Sequence, residues 1–331
     1  MESFDWRDGE RTIHFGPGRA GEAVELLGGP GYTLLTTRRA RDVTPHLAEA
    51  AGAVHDVRPG RVDEIAGELH EAVAGERLVA LGGGRVIDVA KALAAARRIE
   101  APGTRALAVP TTLSGAEMTW VHRHAHGVRA DTPHARPAVV VCDPALAASQ
   151  PEAQLAGSAL NALAHAAEAA VTTLANPVAT LAAHEAARLI ATGFAGPGPD
   201  RDALALAGLL AGYAIDSAWY GLHHVLSQTL VRLCEIPHGS ANGVMLQHTL
   251  GALARRSPAR LGHLAAALGQ DPAGFAAGVC ARTGATTLGE LGVSADRLAG
   301  CAEAAAVRPE LELTPPRAGR EEILGLYALA L

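Results

Sequence analysis

The sequence predicts an α/β first half followed by an all-helical second half. Two observations carry this reading. Short apolar and β-branched runs alternate with helical patterns as far as Val139–Cys142, the signature of βα units in a sheet. After Ala145 the strand signals stop and Ala/Leu-rich helical patterns follow one another. The shift near residue 147 places the boundary between domains 1–147 and 148–331.

In order, Thr12–Phe15 reads as a strand ending in the turn Gly16-Pro17-Gly18, then a helix over Ala20–Leu27. Tyr32–Thr37 and Val54–Val57 are strands by their β-branched content, with helical patterns over Val43–Ala51 and Val62–Ala74. Leu78–Leu81, Ala106–Val109 and Val139–Cys142 are short apolar runs of buried-strand type. In the second half, Asn176-Pro177, Pro237, Ser257-Pro258 and Asp271-Pro272 punctuate the helices.

Two stretches of the first half carry chemistry. Gly82-Gly83-Gly84-Arg85 follows a strand and opens a helix, where free backbone N–H groups and the helix dipole favour a phosphate. The alternative is a plain βα turn in which glycine only relieves sterics. Arg85 either adds a charge partner or fills the site. Pro110–Glu117 ends a strand with three hydroxyls, Thr111, Thr112 and Ser114, as a nucleotide crevice would, or is simply a polar turn. Downstream, a strand over Met118–His126 would place His122, His124 and His126 on one side. That arrangement suits a small metal site, or else a solvated edge.

Gly221–His248 holds four of the fifteen histidines and is broken into two helical halves at Pro237-His238-Gly239. In Leu160–Glu168, Asn161 and His165 stand at i and i+4, on one side of a helix. His224 and His238 can meet them from a second helix. The competing reading is of satisfied core histidines, and His223, His184 and His248 are left there, with His223 the first exception.

Net charge of −6 and a pI near 6.2 give no basic footprint for nucleic acid or an anionic membrane. Four cysteines without a CxxC pair fit a reducing cytoplasm. The charged start MESFDWRDGER is not a signal peptide, and the apolar run Ala203–Ile215 is shorter than a membrane span, so it reads as a buried helix.

With Gly82–Lys91, Pro110–Glu117, Asn161–Glu168 and Gly221–His248 in that order, the chain resembles the iron-containing alcohol dehydrogenase superfamily, and within it the maleylacetate reductase branch. The resemblance spans nearly the whole chain. It implies a dehydroquinate synthase-like architecture, a Rossmann-like dinucleotide-binding domain followed by an all-helical catalytic domain with the active site between them. It also implies a cytoplasmic homodimer acting on a small molecule. Gly82, Gly83 and Gly84, with Arg85 beside them, would face the pyrophosphate of NAD(H) or NADP(H). Asp88 would lie near the nicotinamide end, and Thr111, Thr112 and Ser114 would line the coenzyme crevice.

In metal-dependent members an Asp and three His hold the divalent ion. The matching positions are Asn161, His165, His224 and His238, and Asn at the first is shared with the maleylacetate reductases, described as working without metal. The expectation is therefore no metal; if one binds, His165, His224 and His238 are its ligands. Those three histidines and Asn161 are the expected catalytic groups, with Leu113, His223 and Gln228 in the substrate pocket. Several positions depart from the branch: Arg85 for Ser, Leu113 for Tyr, Val225 for Lys and Gln228 for His. Leu230-Val231-Arg232 stands where Leu-Gly-Gly is usual. Thr37, Arg38 and Arg39 replace the Asp region of NAD-selective members. The expected activity is NAD(P)H-dependent reduction of a small oxygenated carbonyl or enone by an oxidoreductase. The alternatives are a repurposed non-redox biosynthetic catalyst (dehydratase, isomerase or cyclase) and a non-catalytic binding protein.

Overall fold

A computed structural model describes residues 2–331, and the chain divides into two compact units, Met1–Ser149 and Gln150–Leu331. The first runs β1 (Phe4–Asp8), β2 (Arg11–Phe15), α1 (Arg19–Leu26), β3 (Thr33–Thr36), α2 (Arg38–Val43), α3 (Pro45–Glu49) and β4 (Ala53–Asp56). It continues with α4 (Val62–Leu69), β5 (Arg77–Gly82), α5 (Gly84–Arg97), β6 (Arg105–Pro110), β7 (Val139–Cys142) and α6 (Pro144–Ala147). The strands form one sheet in the order β1-β2-β7-β6-β5-β3-β4. Only the β1/β2 pair is antiparallel.

β5 and β6, buried after their first arginine, lie at the sheet's centre because helices cover both faces. α5 is buried along most of its length, Lys91 included. Strand β1 was not foreseen. Its alternating half-exposed pattern, FDWRD, belongs to an edge, and Phe4 stacks on Phe15 with ring centroids 5.1 Å apart.

Two expectations need correction. The helix expected over Val43–Ala51 is shorter, α3 (Pro45–Glu49), and a further helix, α2 (Arg38–Val43), precedes it across Thr44. Pro45 forbids helical geometry at the residue before it, and Thr44 sits at φ −135°. The strand expected over Met118–His126 does not form, and the segment 111–138 contains no helix or strand among the described residues. Three of its carbonyls are taken by buried cations rather than by a neighbouring strand. Lys91 Nζ donates to Ala116 O at 3.1 Å and Val121 O at 2.8 Å, and Arg11 donates to Met118 O at 2.8 Å. His126 turns away to bond its backbone N–H to Asp63 O.

The second unit is helical: α7 (Glu152–Val171), α8 (Pro177–Phe194), α9 (Arg201–Ala218), α10 (Leu222–Cys234), α11 (His238–Arg256), α12 (Pro258–Leu268), α13 (Pro272–Cys280), α14 (Ala295–Ala306) and α15 (Arg320–Ala330). A 3₁₀ turn spans Pro309–Leu313. The breaks seen in the sequence become helix starts. Asn176 caps α8 through Ala179 N, and Asp271 caps α13 through Gly274 N, each followed by Pro in the first turn. α7 is buried from Leu155 to Val171 and is the central helix of the bundle, packed by α8, α9 and α11. Small residues permit this: a Cβ on Gly243 of α11 would come within 3.2 Å of Leu160 Cδ1. Among the described residues no single helix is long and apolar enough to cross a membrane.

Candidate functional site

In the first unit, three parallel strands end side by side. Gly82 of β5 is in register with Pro110 of β6, and Leu81 with Thr36 of β3. The loops leaving these carboxyl ends are therefore neighbours, where open α/β sheets bind their ligands. Gly83 precedes α5 with no side chain to cap it, so the first-turn N–H groups have no side-chain acceptor there. Residues 83 and 84 are glycine because of close approach, not because of a left-handed backbone. A Cβ on Gly83 would stand 2.8 Å from Thr112 Cγ2, and one on Gly84 3.0 Å from Ser114 Cβ. The glycine turn and the Thr111–Ser114 loop thus lie against each other, joined by Thr111 N donating to Gly82 O at 3.0 Å.

Around this turn Arg85 is exposed. Asp88 pairs with the buried Lys91 at 2.8 Å. Leu113 is 1% exposed and belongs to the interior. A neighbouring cleft is lined by Thr37, Arg39, Ala40, Thr111 and Ser149, with Arg39 donating to Ser149 O at 2.9 Å.

In the second unit, α7 carries Asn161, His165 and Glu168 on its buried length. The imidazoles of His165 and His224 stack with centroids 4.7 Å apart and planes 16° apart. Glu168 is the group that builds this arrangement. Helix α10 begins at Gly221 without a side-chain cap of its own. Glu168 supplies the missing acceptors: Oε1 takes Gly221 N at 3.0 Å and His223 N at 2.7 Å, while Oε2 takes His224 N at 3.3 Å. An anion at a helix N-terminus is favoured by the dipole and by these free N–H groups. Residue 221 must be glycine, since a Cβ would fall 2.6 Å from Thr314 Cγ2.

The same Oε2 accepts His224 Nδ1–H at 2.5 Å, which fixes the tautomer and leaves the His224 Nε2 lone pair free. Burial pushes His224 down to about 3 and holds His165 well below its ordinary value, so both rings are neutral at pH 7. His224 Nε2 and His165 Nδ1 are buried and have no partner among the described residues. Buried polar atoms are ordinarily paired, so two such atoms on stacked rings mark a place for a polar ligand atom. His238, at the first residue of α11, is exposed.

His223 lies in the core rather than in a pocket. It is fully buried, and its ring nitrogens bond Thr249 Oγ1 at 2.7 Å and Asn242 Oδ1 at 2.9 Å. Val225 is likewise fully buried. Gln228, one turn beyond His224, accepts from Arg308 at 3.2 Å, and Arg308 also binds Glu310 and Tyr220. Tyr220, whose ring lies 5.7 Å from that of His224, and Arg308 were not singled out in the sequence. Nothing in their spacing announces them, because they come from the α9–α10 turn and the segment before the 3₁₀ turn. Glu168 stood in view three residues after His165.

Asn161 brings no charge to offset a divalent ion. The cluster in which the ligand atoms of three histidines all lie within 4.8 Å of one another is His122, His124 and His134, not His165, His224 and His238. With Asn161 in place of a carboxylate, the second unit offers three imidazoles and an amide rather than the three-His, one-carboxylate set of metal-dependent members.

Two family descriptions match the chain: Iron-containing alcohol dehydrogenase over residues 11–144 and Fe-containing alcohol dehydrogenase family, C-terminal, over residues 155–331. The chain belongs to the iron-containing alcohol dehydrogenase family, and it is an oxidoreductase of the NAD(P)H-dependent reductase/dehydrogenase class. Within the family it falls in the maleylacetate reductase branch. It is 30% identical to a maleylacetate reductase of Rhizobium sp. (strain MTP-10005), covering 93% of each chain. It is 33% identical to maleylacetate reductase 2 of Cupriavidus pinatubonensis, covering 80% of this chain and 78% of that one. Among solved structures, a maleylacetate reductase from Agrobacterium tumefaciens superposes with a TM-score of 0.82 at 27% identity, covering 100% of this chain and 99% of the other.

Proposed function

We propose that this chain reduces a small oxygenated carbonyl or enone with NADH or NADPH, without a resident metal ion. The observation that carries the reading is the stacked pair His165 and His224, each with a buried, unpartnered ring nitrogen, with His224 oriented by Glu168. The hydride chemistry belongs to the coenzyme, whose pyrophosphate the glycine turn and the α5 N-terminus would receive. The protein must hold the accepting oxygen and manage one proton. Asn161 offers an amide N–H for that oxygen, the His224 Nε2 lone pair accepts from a hydroxyl of the oxygenated substrate, and His238, open to solvent, is the group we assign to proton exchange.

Maleylacetate, the compound named for the curated relatives, would meet an altered pocket. Leu113 and Val225 are apolar and buried, and Gln228 is engaged by Arg308. These substitutions support a less acidic substrate than a dicarboxylate, because a buried carboxylate needs a cationic partner. A non-redox role is not favoured, since Arg85 is exposed rather than filling the glycine turn.

The test is a titration of the metal-stripped protein with NADH and with NADPH, followed by nicotinamide fluorescence and then by coenzyme oxidation with a panel of neutral and acidic enones. Saturable binding with turnover of a neutral enone supports the reading. Failure of both coenzymes to bind would refute it.

A further inference from the structure

We propose that His122, His124 and His134 form a binding site for a divalent transition-metal ion of the zinc class, separate from the histidines of the second unit. The three imidazoles each offer a nitrogen, and these nitrogens all lie within 4.8 Å of one another. Ring centroids are 5.6, 4.6 and 4.5 Å apart for the pairs 122–124, 122–134 and 124–134. In a tetrahedral site with bonds of ~2.1 Å the ligand nitrogens stand roughly 3.4 Å apart, so small side-chain rotations close the gap.

The hydrogen bonds prepare the rings for this. His122 Nδ1 donates to Arg123 O at 2.9 Å, and His134 Nε2 donates to His122 O at 3.1 Å. A ring that gives one N–H to a backbone carbonyl presents the lone pair of its other nitrogen, the usual support of a metal-bound histidine. His124 has both ring nitrogens buried and without a partner among the described residues, which a bound ion would remedy.

One contact opposes the ion. His122 Nε2 accepts Ala135 N–H at 3.0 Å and must exchange that bond for the metal. A single backbone hydrogen bond is small beside zinc coordination. Lys91 lies near His122, but its charge is met by Asp88. Imidazoles suit zinc, copper or nickel better than magnesium or calcium, and three of them leave a fourth position for water. The site would tie together two parts of the segment 111–138, whose first residues pack against Gly83 and Gly84.

The experiment compares zinc bound per full-length chain, after stripping, incubation with zinc chloride and dialysis, in the wild type, a His124→Ala/His134→Ala variant and His165→Ala. The double variant should hold one zinc fewer than the wild type, and His165→Ala should keep it. A single His124→Ala change should weaken zinc by more than the roughly 10–100-fold that loss of a supporting hydrogen bond costs. Unchanged zinc in the double variant, or loss of this zinc in His165→Ala alone, would overturn the assignment. Should the variants not fold, carbethoxylation of the wild type read by mass spectrometry decides. Zinc should protect His124 and His134 from the reagent, and equal modification with and without zinc would refute the site.

Discussion

Glu168 Oε2 and His224 Nδ1 are 2.5 Å apart, and both groups are fully buried or nearly so. This one pair links the start of α10 to the orientation of the imidazole beside His165. The carboxylate caps the start of a helix and sets a tautomer at once. Removing it therefore has separable consequences for stability and for chemistry.

Replacing Glu168 by Ala leaves three backbone N–H groups and a ring N–H without their acceptor, at a cost of about 3–5 kcal/mol in unfolding free energy. Glu168→Gln keeps the shape and removes the charge. By freeing the His224 tautomer it should lower kcat by roughly 10²–10³-fold, the range seen when one positioned hydrogen-bonding group is lost, with KM little changed. Denaturant unfolding and steady-state kinetics on the two variants check this. Lower stability with kcat unchanged would mean that the pair only supports the fold.

Gly83→Ala would push a methyl group to 2.8 Å from Thr112 Cγ2. The loop has to shift, at about 1–3 kcal/mol, and coenzyme affinity should fall while the second unit stays folded. Gly262→Ala, in α12 with nothing within 4 Å of the added carbon, is the control and should bind coenzyme like the wild type. Fluorescence titration of both variants gives the comparison.

Thr37 and the arginines after it bear on coenzyme choice. Thr37 caps α2 at the end of β3, with Arg38 largely exposed and Arg39 beside the cleft. A 2′-phosphate meets cations there and no carboxylate at position 37, so NADPH should bind at least as tightly as NADH. Changing Arg38 and Arg39 together to Ala should weaken NADPH by about tenfold, or ~1.4 kcal/mol, and leave NADH nearly unaffected. Equal losses for both coenzymes would contradict a role in reading the 2′ position.

Acid should destabilise this protein through its buried histidines. Burial lowers His122, His223 and His224 from 6.5 to about 3. Between those values the unfolded chain binds protons that the folded chain refuses, so stability falls as pH drops from 6.5 toward 3. Glu117, raised by burial to about 7, acts oppositely, losing its contribution as pH rises from 4.5 through 7. His223→Gln should reduce the acid slope by one proton's share, read from unfolding midpoints across pH 4–6.5. An unchanged slope would show that His223 titrates alike in both states.

Hydrophobic periodicity alone determined the α/β half, the helical half and the order of the candidate residues. Asn161 and His165 share a helix face by spacing, and Asp271-Pro272 starts a helix by local chemistry, so both were legible. The shape of the segment 111–138 was not, because three of its carbonyls are satisfied by Lys91 and Arg11 from distant strands and helices. The same long-range organisation gathers His134 with His122 and His124 and sends His126 elsewhere, against the alternation a strand would have imposed. His223 and His224 are adjacent in sequence and indistinguishable there. Tertiary packing separated them, closing one between Thr249 and Asn242 and turning the other, through Glu168, to face His165. Local patterns fix which faces a chain can bury, but the partner of each buried polar atom is a matter of packing between elements far apart in the chain.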